Sequence, residues 1–76
     1  MNVYIEFENP QVFDNILAHF STEATTVTDI EFNKNHTPTG DKCNVVFTVR
    51  FRKRQPHDKV LSQISSIPGV INIEEL

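Results

Sequence analysis

Apolar and polar residues alternate from Val3 to Glu8, with Val3, Ile5 and Phe7 on one side and Tyr4, Glu6 and Glu8 on the other. A period of two over this stretch predicts a strand with one covered face. Asn9-Pro10 then breaks the alternation. Asn is a favoured helix N-cap, and Pro fits the first helical position, where a missing N–H leaves no bond unmade. Val12, Phe13, Ile16, Leu17 and Phe20 follow at helical spacing and form one apolar stripe. Ser21-Thr22 and the β-branched run Thr25-Thr26-Val27-Thr28 are expected to end that helix.

Ile30 and Phe32, flanked by Asp29 and Glu31, predict a second strand with both apolar residues inward. Asn33 to Lys42 contains Asn, Pro, Gly and Asp without an apolar pattern and reads as a mobile hairpin loop. Val45, Phe47, Val49 and Phe51 make the clearest strand, with Val46, Thr48, Arg50 and Arg52 on its other face. Gln55-Pro56-His57-Asp58 opens a second helix whose stripe is Val60, Leu61, Ile64 and Ile67. Pro68-Gly69 closes it, Gly being the usual residue after a helix end, and Val70 to Glu74 reads as the last strand.

The predicted order is strand, helix, strand, strand, helix, strand. Right-handed crossovers then lead to an antiparallel four-stranded sheet ordered 4-1-3-2, with both helices on one face. This is an α+β, ferredoxin-like βαββαβ sandwich, and it leaves the other sheet face open.

The chain has 76 residues, which makes residues 1–76 a single domain near the lower size limit for a self-sufficient core. Small domains usually gain stability from a disulfide, a metal or a second copy. Cys43 is the only cysteine, and no set of Cys and His stands at zinc-ligand spacing. Homodimerisation is the remaining common route. A net charge of −3 argues against nucleic acid as a partner. No continuous apolar window is long enough to span a bilayer. The first strand begins within the opening residues and the chain stops on a strand, which reads as a domain cut from a larger protein.

Few constellations carry chemistry. The open sheet face is the most charged, with Arg50 and Arg52 expected among Glu6, Glu8, Asp29 and Glu31. Cross-strand ion pairing on a solvated face accounts for this pattern; the functional alternative is a polar docking surface built from Glu6, Asp29, Glu31, Arg50 and Arg52. In Arg50-Phe51-Arg52-Lys53-Arg54 the aromatic falls on the core phase, so it offers no base-stacking platform. His19 is expected to be a half-buried packing residue. His36, Asp41 and Cys43 could meet across the hairpin loop, but with only one soft ligand on a flexible segment no metal site is assigned. Catalytic signatures such as G-x-S-x-G, a Walker loop or CxxC are absent, and no enzyme activity or cofactor is expected. The metal-chaperone branch of this fold carries a CxxC after its first strand, where this chain has Asn9-Pro10. An acylphosphatase-type enzyme needs an anion-cradling loop with Arg in the same place. The closing carboxylates Glu74 and Glu75 read as a soluble strand terminus.

Two local patterns resemble ACT domains. Glu8-Asn9-Pro10-Gln11-Val12-Phe13 is similar to the family's Asp-x-Pro-Gly-Leu-Leu element, and Ile67-Pro68-Gly69-Val70-Ile71-Asn72-Ile73 is similar to its closing Ile-x-Gly-Val-x-x-Val. With the element order, the resemblance covers nearly the whole chain. It implies a regulatory domain that pairs with a second copy and binds an amino acid near the loop after the first strand, here Glu8, Asn9 and Gln11. Gln11 stands where the family has the glycine that lets a ligand approach the backbone. A divergent ACT-like domain without that glycine resembles the C-terminal soluble domain of the MgtC/SapB family of bacterial inner-membrane proteins. That resemblance implies a non-catalytic regulatory or interaction domain linked to magnesium homeostasis, held at the cytoplasmic side of the inner membrane by its own membrane part. The alternative it leaves open is an amino-acid-binding regulatory domain of a metabolic enzyme or transcription factor.

Overall fold

The structure is a computed structural model that describes residues 1–21, 25–37 and 40–76, with only the backbone described for residues 35–37 and 40–41. Its elements run β1 (Asn2–Phe7), α1 (Pro10–His19), β2 (Thr25–Thr37), β3 (Gly40–Phe51), α2 (His57–Ser65) and β4 (Val70–Glu75). They form one antiparallel sheet of four strands in the order β2-β3-β1-β4. This is the expected ferredoxin-like α+β arrangement. α1 carries the chain from β1 over to β2, and α2 carries it from β3 to β4. Val12, Ile16 and Phe20 of the first helical stripe and Val60 and Ile64 of the second enter the same core as Val3, Ile5, Phe7, Val45, Phe47 and Val49. Both helices therefore cover one sheet face.

The helix starts follow local chemistry. The Asn9 side chain accepts a hydrogen bond from the Gln11 N–H at 3.1 Å, and Pro10 takes the first helical position. Phe20 closes α1 and packs edge-on against Phe47, with ring centres 5.8 Å apart. His19 corrects one expectation: it is exposed at the last turn, with its ring edge-on to Phe20, rather than half-buried.

The second strand is longer than its apolar pattern suggests. Thr25–Thr28, read as a helix stop, is the first part of β2, and Val27 lies opposite Val49 on the core side. Farther on, Phe32 lies opposite Val45, also on the core side. An odd-numbered and an even-numbered position share one face only if the strand carries an extra residue. It does: Thr28 pairs with Thr48 and Glu31 with Val46, so β2 advances three residues (28 to 31) while β3 advances two (48 to 46). Asp29 holds the left-handed conformation of this bulge, at φ 55. Ile30 is consequently 46% exposed and not inward. Phe32 is 40% exposed, yet its ring lies 5.8 Å from Phe7 and 5.6 Å from Phe13.

Asn33 to Lys42 is also corrected. It is not a loop but the distal half of a β2–β3 hairpin, paired as far as Thr37 and Gly40; Pro38 and Thr39 lie outside the described residues. Backbone N–H and C=O groups make the pairing, which needs no apolar alternation in the side chains. Cys43 is the last residue of β3 opposite β1, and it is buried beside Phe7.

The turn between α2 and β4 is fixed by close contact. Gly69 has φ 93, and a Cβ placed there would stand 2.4 Å from Val12 Cγ2. Its carbonyl accepts the Glu8 N–H at 2.9 Å. The first crossover and the last turn are thus clasped together.

Two substitutions test this geometry in urea denaturation. Gly69→Ala is expected to cost about 2 kcal/mol, because the strained φ and the stiff Val12 side chain both resist it. Asp29→Val should cost about 1–2 kcal/mol while Asp29→Gly is tolerated, since only the left-handed backbone separates the two. Equal losses for Val and Gly would show that the Asp29 side chain, not its backbone, supports the bulge.

Candidate functional site

The loop after β1 gathers the residues singled out in the sequence. Glu8, Asn9 and Gln11, all exposed, line one open hollow of about 350 Å³ together with Asn15, Pro68 and Gly69. Most of the loop's backbone donors are already engaged. Glu8 N–H donates to Gly69 O, Gln11 N–H to the Asn9 side chain, and Val12 N–H to Asn9 O at 3.1 Å. Pro10 has no N–H to offer. What remains toward solvent is a carboxylate and side-chain carboxamides. Such groups can hydrogen-bond a small polar solute, but they form no cradle of amides for a carboxylate or phosphate.

The open sheet face has a different character from the expected ion-pair lattice. Strand register sets Glu74, Tyr4, Val46 and Glu31 in one rung across the sheet, and Asn72, Glu6, Asn44 and Asn33 in the next. Asn33 donates to Asn44 at 3.3 Å, and Thr48 donates to Asn2 at 2.7 Å. Arg50 lies opposite Thr26. It is four residues along β3 from the partner of Glu31 and six from the partner of Glu6, or about 13 and 20 Å at strand rise. Asp29 is taken up in the bulge, and Arg52 lies past the end of β3. Among the described residues no ion pair joins Glu6, Asp29, Glu31, Arg50 and Arg52. The face is a hydrogen-bonded carboxamide and hydroxyl surface, acidic in the middle, with Arg50 toward one end and Lys42 beside Glu6 toward the other.

Two polar contacts went unread in the sequence. Tyr4 Oη donates to Glu6 Oε1 at 3.0 Å, two residues along the same face. His57 Nδ1 meets Glu75 Oε2 at 2.7 Å, tying the start of α2 to the end of β4. The first was legible in the i, i+2 spacing of a strand face. The second depends on the crossover and leaves no local signal.

The weighed combination of His36, Asp41 and Cys43 is only partly described. His36 and Asp41 are register partners whose side chains lie outside the described residues, while the Cys43 thiol is buried in the core. Among the described residues no three His, Cys, Asp or Glu side chains form a group able to hold a metal. No described helix is long and apolar enough to cross a membrane. Compared with protein-family models and with curated proteins, the chain matches neither.

Tyr4 makes the open face testable. Partial burial of the phenol raises its pKa above the ordinary value, and the hydrogen bond and charge of Glu6, with the charge of Glu74, push it the same way. As the chain's only tyrosine, with no tryptophan, it can be titrated by ultraviolet absorbance alone. The expected midpoint lies above about 10, and Glu6→Gln should lower it. Because folding raises this pKa, the associated stability is complete below about pH 10 and is lost as the pH rises through the folded-state value. A midpoint unmoved by Glu6→Gln would remove the Tyr4–Glu6 contact from the face.

Proposed function

We propose that this chain is a non-catalytic regulatory or interaction module, acting through surfaces that bind protein and not through a reactive centre. The observation that carries the reading is where its large apolar side chains lie. Ile30 and Phe32 stand exposed on the long edge strand β2, where backbone groups also lack a neighbouring strand. A free edge with apolar side chains is a surface for another chain, and a domain of this size gains stability from such association. On this reading the partner is a second copy, and the tether is the membrane part of an MgtC/SapB-type inner-membrane protein linked to magnesium homeostasis, with this domain at the cytoplasmic side. The support for that assignment is the resemblance of the Glu8–Phe13 and Ile67–Ile73 elements, which meet at the Gly69 clasp.

A second reading, an amino-acid-binding regulatory domain, is favoured by one observation: Glu8, Asn9 and Gln11 line a single hollow. The engaged donors of that loop weigh against it. Calorimetry with a panel of amino acids separates the two. The module reading expects no saturable heat, and no gain from Gln11→Gly. Stoichiometric binding strengthened by Gln11→Gly would replace it with the sensor reading. In sedimentation the module reading expects dimer to grow with concentration into the tens of micromolar, about the range for a small transient interface.

A further inference from the structure

The end of the sandwich away from the loop after β1 holds a second hollow, and the structure assigns it as the binding site of a small aryl carboxylate that carries no amino group. α1 is capped by Phe20, β2 starts at Thr25, β3 ends at Phe51 and α2 opens at His57. The ends of these four elements border a space of about 220 Å³. Phe51 is eight residues along β3 (43 to 51) from the partner of Phe7, or about 27 Å at strand rise. This hollow is therefore separate from the one at Glu8, and its occupation does not depend on association with a second copy.

The lining divides by chemistry. Phe20 and Val60, each 5% exposed, and the partly buried Phe51 make an apolar floor. His19, Gln55 and Gln63 stand exposed at the rim, and their side chains make no hydrogen bond to another described residue. An imidazole and two carboxamides can each donate an N–H to a carboxylate oxygen. The space is smaller than the about 300–1,000 Å³ of drug-sized sites, so it suits one ring and a short side chain. Two phenyl rings in the floor favour an aromatic body.

Charge selects the head group. Among the described residues no Asp or Glu lines the hollow, so an ammonium would have no partner there. The chain enters the rim as Arg52-Lys53-Arg54-Gln55, and these three cations are exposed, with no ion pair to another described residue. By Cα spacing, Lys53 and Arg54 are at most about 7.6 Å from Gln55, inside the ~8 Å screening length of physiological salt. Asp58, in the first turn of α2, is the nearest acid along the chain, and Glu75 is taken by His57 at 2.7 Å. One acid against three cations leaves the approach positive. A free carboxylate fits this rim, and an α-amino acid does not.

Backbone-amide NMR of the full chain tests this with hydrocinnamate, hydrocinnamyl alcohol and phenylalanine, which share one carbon skeleton. Hydrocinnamate should shift the Phe20, Phe51 and Gln63 amides saturably, with a Kd of about 0.1–1 mM, and the other two should bind at least about fivefold more weakly. The Glu8, Asn9 and Gln11 amides should stay in place. Gln63→Trp, at an exposed position, should fill the hollow and abolish the shifts with unchanged circular dichroism. Lys53→Glu combined with Arg54→Glu should weaken hydrocinnamate about tenfold and leave the alcohol unaffected. No saturable shift up to about 10 mM, or shifts that persist in Gln63→Trp, would overturn the site. Equal affinity for the acid and the alcohol overturns the anionic head group. Phenylalanine bound as tightly as hydrocinnamate overturns the exclusion of an amino group, and shifts then centred on Glu8 and Gln11 support the sensor reading instead.

Discussion

Two short helices cover a sheet that is much longer than they are, and most of this structure follows from that mismatch. α1 has ten residues and α2 nine, so each is about 15 Å long, whereas the 13 residues of β2 extend about 43 Å. Sideways, two helices about 10 Å wide suit four strands about 4.8 Å apart. The core is therefore complete over β1 and the part of β3 beside it, where Val3, Ile5, Phe7, Val45, Phe47 and Val49 are all fully buried. At the outer strands cover thins, leaving Val27 and Ile73 partly buried and Phe32 exposed. Beyond Cys43 the hairpin runs on past the end of β1, paired through its backbone alone.

The same mismatch explains which parts of the fold could be read in the sequence. Where the helices cover the sheet, burial imposes period two on β1 and β3 and a stripe on each helix, and those elements and their order were legible. The Asn9 cap, the Pro10 start and the Gly69 stop were legible too, because each answers a local backbone need. The distal hairpin was not, since Asn33 to Lys42 carries no apolar alternation to show and its pairing runs through the backbone. The opening of β2 was hidden for another reason. Val27 and Phe32 fall on opposite phases, and the phase break itself was the signal of a bulge, but the β-branched run before it also fits a helix terminus.

The candidate site divides along the same line. That Glu8, Asn9 and Gln11 share one hollow could be expected from their adjacency. That the loop's own donors close back on Asn9 and Gly69 could not, because the Gly69 carbonyl arrives from the far end of the chain. The ion-pair lattice expected on the open face failed on register: residue types were right for pairing, yet strand offsets hold Arg50 well away from Glu31 and Glu6. Alternation assigns a residue to a face, but pairing depends on a longitudinal coordinate that only the bulge and the turn determine.

The clasp between Glu8 and Gly69 bears on how this chain reaches its fold. It joins residues separated by nearly the whole sequence, and it sits where the first crossover meets the last turn. Closing it brings the turn after α2 back to the start of α1. A hairpin such as β2–β3 can form from local contacts, but this bond demands closure of a long loop. Long-range closure of this kind weighs on folding through topology rather than helix propensity, and the hollow after β1 takes shape only once the turn after α2 is in place.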